Sequence, residues 1–182
     1  WIKRMTLKIL IPIFLIFFSF FTAAISAITG MGGGIILLSV MTLFFPLNIV
    51  IPIHGLIQFV SNFYRSCLLK SHITWPLAIP FFIGAPIGTY FSYLIVKIMP
   101  SPLYPQIFIT FLIFYSVFRP KNLPSLTIPN WGFFFLGIIV GLFSLLIGAT
   151  GPIIAPFFLR TDLKKENLIA TKAVIQTMGH FL

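Results

Sequence analysis

Acidic side chains are almost missing from this 182-residue chain: Asp162 and Glu166 stand alone against twelve Lys and Arg. Charged residues of both signs make up 8% of it, where soluble domains carry about 25%. A soluble fold exposes much of its surface to water, and so few charges cannot cover a surface of this size. Cysteine is nearly absent too. Cys67 is alone, which excludes a disulfide framework and a thiolate metal cluster and leaves it as a small packing residue. Also lacking are paired aspartates, a Gly-x-Ser-x-Gly elbow and a His-Glu-x-x-His pair, so the chain is not expected to be an enzyme and calls for no metal or cofactor. Both acids sit in one charged turn, Arg160 to Glu166, a solvated loop by default. A buried acidic proton relay therefore has little support.

What the chain has instead is apolar: 59% hydrophobic residues, twenty-three Phe and a mean hydropathy of +1.10. Lipid is the solvent that suits such a surface, so a bilayer is the first expected partner. The net charge of +10 would ordinarily suggest nucleic acid, but the cations are spread thinly between apolar blocks, without a basic stripe to track phosphates. No nucleic-acid partner is expected. The cations fit loops that fix the orientation of a membrane protein.

A helix needs about 20 residues to cross the hydrocarbon. Segments at roughly 7–29, 49–69, 75–97, 102–119 and 129–148 qualify, and another starts near 166 and runs to the end. The fold class expected is an all-α polytopic transmembrane bundle, one membrane domain over 1–182. Two pieces are apolar but too short to span, 33–45 and 151–160. Each follows a glycine cluster: Gly30-Met31-Gly32-Gly33-Gly34 and Gly148-Ala149-Thr150-Gly151-Pro152. The pattern is a full helix, a break within the membrane, then a half-helix.

An offset of 118 residues superposes the two breaks without a gap and gives nine identities in thirty-nine pairs, among them Gly30 with Gly148, Gly33 with Gly151 and Gln58 with Gln176. We expect an internal duplication, with repeat one at about 7–119 and repeat two at about 129–182. On that reading the second copy is incomplete, and the chain, which opens on Trp1 and closes inside an apolar run, is a fragment. Loop cations divide seven to four in either of two topologies and do not fix orientation. Half-helix length favours re-entrant pieces, which puts four crossings between the copies and makes them parallel. Inverted copies are the other arrangement.

Unpaired backbone N–H groups facing lipid cost several kcal/mol each, so a break belongs where it lines a polar cavity or is buried in protein. Helix starts after Gly34 and at Pro152 would turn N–H donors and a positive dipole end toward the membrane interior, which suits an anion. Gly32, Gly33, Gly34, Thr150 and Gly151 are the candidate backbone donors. Each break is followed by a helix with polar residues at i, i+4 and i+8: His54, Gln58, Asn62 and Lys172, Gln176, His180. That spacing places each trio on one face. Gln58, Lys172 and Gln176 are the candidate substrate contacts; for His54, Asn62 and His180, hydrogen bonding between helices is the better reading, and Ser61 and Tyr64 are lesser candidates. Gly84, Gly88, Gly137 and Gly141 are read as helix-packing residues.

The clusters at Gly30–Gly34 and Gly148–Pro152, the run Ile153-Ile154-Ala155-Pro156-Phe157-Phe158-Leu159, and Ile169-Ala170-Thr171-Lys172-Ala173-Val174-Ile175-Gln176 leading to His180 resemble the TauE/SafE family of sulfite-exporter-like membrane proteins. Ser39 departs from it, standing where a proline often follows the first cluster. The resemblance implies seven or eight helices in two repeats, residence in the prokaryotic plasma membrane, and export of sulfite or an organosulfur anion. A non-transporting scaffold whose glycines only pack helices is the competing expectation. The substrate, the coupling ion and homo-oligomerisation are left open.

Overall fold

The computed structural model describes residues 2–29, 32–101, 103–118, 127–148, 150–158 and 160–182, with the side chains of 2–9, 28–29, 112–113 and 116–117 also outside the description. Every regular element among the described residues is helical. The elements are α1 (Ile2–Thr29), α2 (Gly33–Thr42), α3 (Leu47–Leu68), a 3-10 turn at Lys70–His72, α4 (Trp75–Ile98), α5 (Leu103–Phe118), α6 (Gly132–Ile147), α7 (Gly151–Ile154), a 3-10 turn at Ala155–Phe158, and α8 (Lys165–Phe181). Among the described residues, three helices are long and apolar enough to cross a membrane: α1 over Leu10–Ala27, α3 and α4. Their outer faces carry bulky apolar side chains, such as Phe17 and Phe20, each 72% exposed, and Ile98. Lipid would cover these at no cost.

α2 folds back along α1. A Cβ on Gly33 would collide with Thr22 O and come within 2.9 Å of Ser26 Cβ, while the rings of Phe14 and Phe44 lie 6.1 Å apart at the other end. The segment after α6 does the same: Phe158 meets Phe133, near the start of α6, with ring centroids 5.9 Å apart. Its helix differs from the expected half-helix over 151–160. One α turn gives way to 3-10 geometry at Ala155-Pro156, where the proline has no N–H for an α-helical bond.

Each short element is the centre of a core. α2 contributes Ile35, Leu37, Leu38 and Met41 to a cluster closed by Leu15, Val50, Ile109 and Ile147. Ile154, Ala155 and Phe158 are buried, and Ile154 and Phe158 join a second cluster with Phe81 and Ala85 of α4, Phe133 and Val140 of α6, and Ile175 of α8. At the second cluster, α4 and α6 pack side by side and parallel, Gly84 and Gly88 against the backbone of Phe134 and Ile138, Gly137 and Gly141 against that of Phe81 and Ala85. The packing role expected for these four glycines is what they have.

α3 and α8, the helices that the offset of 118 pairs, run antiparallel. Thr74 N, just past the end of α3, donates to Thr171 Oγ1 near the start of α8 at 2.8 Å, and His54 near the start of α3 meets His180 near the end of α8. The parallel arrangement expected from four crossings is therefore corrected. α2 returns along α1 and α3 returns along α2, with His54 and Gln58 beside Gly34, so α3 takes the direction of α1 and α8 the opposite one.

Candidate functional site

Both glycine breaks depend on backbone conformations that favour glycine. Gly32 has φ 95° and Gly148 φ 66°, and Gly148, in left-handed geometry, closes α6 with its N–H on Ser144 O at 2.9 Å. Gly30, Met31 and Ala149 of the two clusters lie outside the described residues. No side chain caps α2 or α7, so the first N–H groups of both helices have no capping partner from Gly32 or Thr150.

The two breaks meet at one residue. The His54 ring puts Nε2 2.8 Å from Gly34 O and Nδ1 2.9 Å from Gly148 O, and the side chain is buried. Around this junction the polar faces of α3 and α8 are placed alike. A Cβ on Gly34 would stand 3.0 Å from Gln58 Nε2, and one on Gly151 would stand 3.3 Å from Gln176 Nε2. The Gln58 amide thus lies over the start of α2 and the Gln176 amide over the start of α7. Thr150, at the N-cap of α7, is 1% exposed; its hydroxyl has no partner among the described residues and faces α8, 3.8 Å from where a Cβ on Gly179 would be. Lys172 is buried, one turn before Gln176 on the same face. A cleft of about 450 Å³ opens beside the junction, lined by Ile51, Gly55, Ser144, Gly148 and His180 among others.

The structure therefore gathers Gly34, Gln58, Thr150, Gly151 and Gln176 about His54, with Lys172 a turn away. Gly33 is turned elsewhere, its Cα pressed on α1, and Gly32 is exposed with open space where a Cβ would be. Asn62 bonds within its own helix, Nδ2 donating to Gln58 O at 2.9 Å, and its Oδ1 accepts from Arg65 Nη1 at 3.3 Å; the bonding between helices expected of it belongs instead to Arg65, which reaches Ala23 O at 3.5 Å. Ser61 is half-buried and Tyr64 exposed. The hydrogen bonding between helices expected of His54 is what it has. Its signal was the shared face with Gln58 and Asn62, but the carbonyls it meets are 20 and 94 residues away in the chain.

Away from the junction, Arg160 is buried and holds Asp162 through two bonds, Nε to Oδ1 at 2.8 Å and Nη2 to Oδ2 at 2.6 Å. The bond from Arg160 holds the Asp162 carboxyl below its ordinary pKa, and the same bond raises that of the guanidinium. Among the described residues, no three His, Cys, Asp or Glu side chains come together as a metal site.

Comparison with known proteins adds one match. A family model described as "Sulfite exporter TauE/SafE" covers residues 13–181. No curated protein and no solved structure matches the chain.

Proposed function

The chain belongs to the sulfite exporter TauE/SafE family, a family of membrane transporters, and we propose that it moves a small anion, sulfite or an organosulfur anion, through a site at the two glycine breaks. The observation that carries this reading is the Thr150 hydroxyl. A buried hydroxyl without a partner costs about 1–3 kcal/mol, and this one stands by Gly179 of α8 while the Gln176 amide of the same helix lies over the start of α7, with buried Lys172 one turn before that glutamine. A small oxyanion would accept from the hydroxyl and the amide, and the Lys172 ammonium on the same face of α8 would add positive charge. Because α7 is a single turn, side chains rather than a long helix dipole would supply most of the attraction.

The course of the chain supports alternating exposure. Two hairpins of opposite direction with their breaks together at mid-bundle are the arrangement of inverted-repeat transporters, whose sites lie near the membrane midplane. On this reading the two units are copies, and rocking one against the other would open the site to either side of a prokaryotic plasma membrane. The cleft beside Gly148 favours transport over the scaffold, which needs no opening toward the breaks.

Labelled sulfite flux into proteoliposomes tests the proposal, with Thr150→Val and Lys172→Ala beside the wild type. Saturable flux that both substitutions reduce tenfold or more supports the site. Flux of sulfonates or carboxylates but not sulfite would keep the site and change the substrate; no flux under any gradient would favour the scaffold.

A further inference from the structure

His54 is within hydrogen-bonding distance of two carbonyl oxygens, and a carbonyl only accepts. A neutral imidazole has one N–H and one bare lone pair, so it can satisfy one of the two; the other contact would set lone pair against lone pair at under 3 Å. An imidazolium satisfies both. We propose that His54 binds a proton at the junction of the two breaks, its imidazolium donating Nδ1–H to Gly148 O and Nε2–H to Gly34 O, and that this is the proton coupled to anion movement. The coupling rests on the transporter reading; the proton site does not.

The surroundings suit a buried cation. Gly148 O belongs to the C-terminal end of α6, where the helix dipole is negative. Two charge-assisted bonds replace the water that the ring has lost. Neither α2, α6 nor α7 carries a titratable side chain. α1 has Lys3, Arg4 and Lys8 near its start, remote in sequence from the α2 turn. α3 itself carries Arg65, three turns away and engaged with Asn62 and Ala23 O. α8 brings His180, whose ring centroid is 6.1 Å from that of His54, and Lys172 two turns before it; Lys165 and Glu166 are exposed at its start.

His180 also lines the cleft. Two imidazolium rings this close repel, so the pair holds one proton more readily than two, and His180 is the route by which His54 exchanges it. When His54 gives up the proton, one of its two carbonyls is released and the breaks are no longer tied together. An anion at Thr150 and Lys172 would favour the charged ring, and by linkage the proton would tighten the anion.

The test has two parts. Nitrogen-15 NMR of histidine-labelled protein in nanodiscs, assigned with His54→Gln and the half-buried His72→Gln, reports protonation at each ring nitrogen. We expect both His54 nitrogens to carry a proton at pH 7, and sulfite to shift the midpoint of their titration upward. One bare nitrogen at pH 7, with or without sulfite, overturns the site. Proteoliposomes containing a pH-sensitive dye report proton movement during sulfite flux. Proton movement lost in His54→Gln but kept in His72→Gln supports coupling; flux that moves no protons in the wild type overturns it. Should His54→Gln fail to fold, wild-type NMR and the wild-type proton trace still decide. A doubly protonated His54 in a protein that moves no anion would sink the transport reading and leave the proton site standing.

Discussion

Glycine serves two opposite purposes in this molecule, and the contrast lies between the α4–α6 seam and the junction at His54. Along the seam, Gly84, Gly88, Gly137 and Gly141 are helical residues whose missing Cβ lets one backbone lie on another; a methyl group at any of them would strike the facing helix. The seam is mostly apolar, and the Thr89 and Ser144 hydroxyls, 3.4 Å apart, make a polar contact across it. At the junction, Gly32 and Gly148 are wanted for backbone rotation, and the carbonyls of Gly34 and Gly148 are met by an imidazole instead of a second backbone. Without a hydrophobic force between helices in lipid, van der Waals contact must hold the seam. The junction gives up such contact for polar groups, which suits a part that binds and moves.

If that contrast is right, the largest effect comes from filling the seam. Gly84→Leu with Gly88→Leu should leave no folded protein, because a backbone carbonyl cannot move aside as a side chain can; overpacking costs about 1–3 kcal/mol per site even where side chains give way. Yield and monodispersity in mild detergent measure this. A folded, transporting double variant would show the seam to be looser than described.

A sharper comparison pairs Gly33→Ala with Gly151→Ala, two positions that the 118-residue offset makes equivalent. Gly33 behaves sterically like a seam glycine, with Thr22 O in the way of a Cβ, so its alanine variant should lose folded yield. Gly151 faces only the Gln176 amide at 3.3 Å, which can swing aside. Gly151→Ala should therefore fold with near wild-type Tm and lose flux. Equal behaviour of the two would erase the distinction. Next in size is Lys172→Gln, which keeps a polar side chain and removes the charge. We expect at least a tenfold rise in KM for the anion, about 1.4 kcal/mol, with the Tm little changed; an unchanged KM would remove Lys172 from the site.

The seam was more legible in the sequence than the junction, and the physical reason is range. The predicted 49–69 and 75–97 became Leu47–Leu68 and Trp75–Ile98, because apolar length and flanking Pro and Gly are local signals. The glycines of α4 and α6 could be assigned to packing for the same reason, though nothing local said that they pack on each other. The positive-φ residues Gly32 and Gly148 fall in the two glycine clusters that the sequence shows. The backward course of α2 along α1 was not visible there, and that hid the antiparallel course of α3 and α8. Nor was His54 between Gly34 O and Gly148 O. Periodicity places His54 on a polar face but says nothing of what that face will meet. The single α turn at Gly151 was missed because Pro156 falls inside an apolar run that otherwise reads as helix.

The smallest effect is expected outside both regions, at the Arg160–Asp162 pair, and it serves as their control. Asp162 is bound by Nε and Nη2 of a buried guanidinium whose Nη1 has no partner among the described residues. Its carboxyl titrates below the ordinary value because Arg160 favours the charged form. A group lowered in this way adds stability above its unfolded pKa of about 3.9 and loses it as the pH falls through the folded value. Asp162→Asn should thus lower the Tm slightly at pH 7, with the gap to wild type closing below about pH 4. Asp162 is largely exposed and solvent screens the pair, so the shift should be far smaller than that of any seam variant. Sulfite flux at pH 7 should stay at the wild-type level, since among the described residues no contact of this pair reaches the junction. A fall in flux comparable to that of Lys172→Gln would mean that the turn before α8 is coupled to the breaks, and the division between a holding part and a moving part would have to be redrawn.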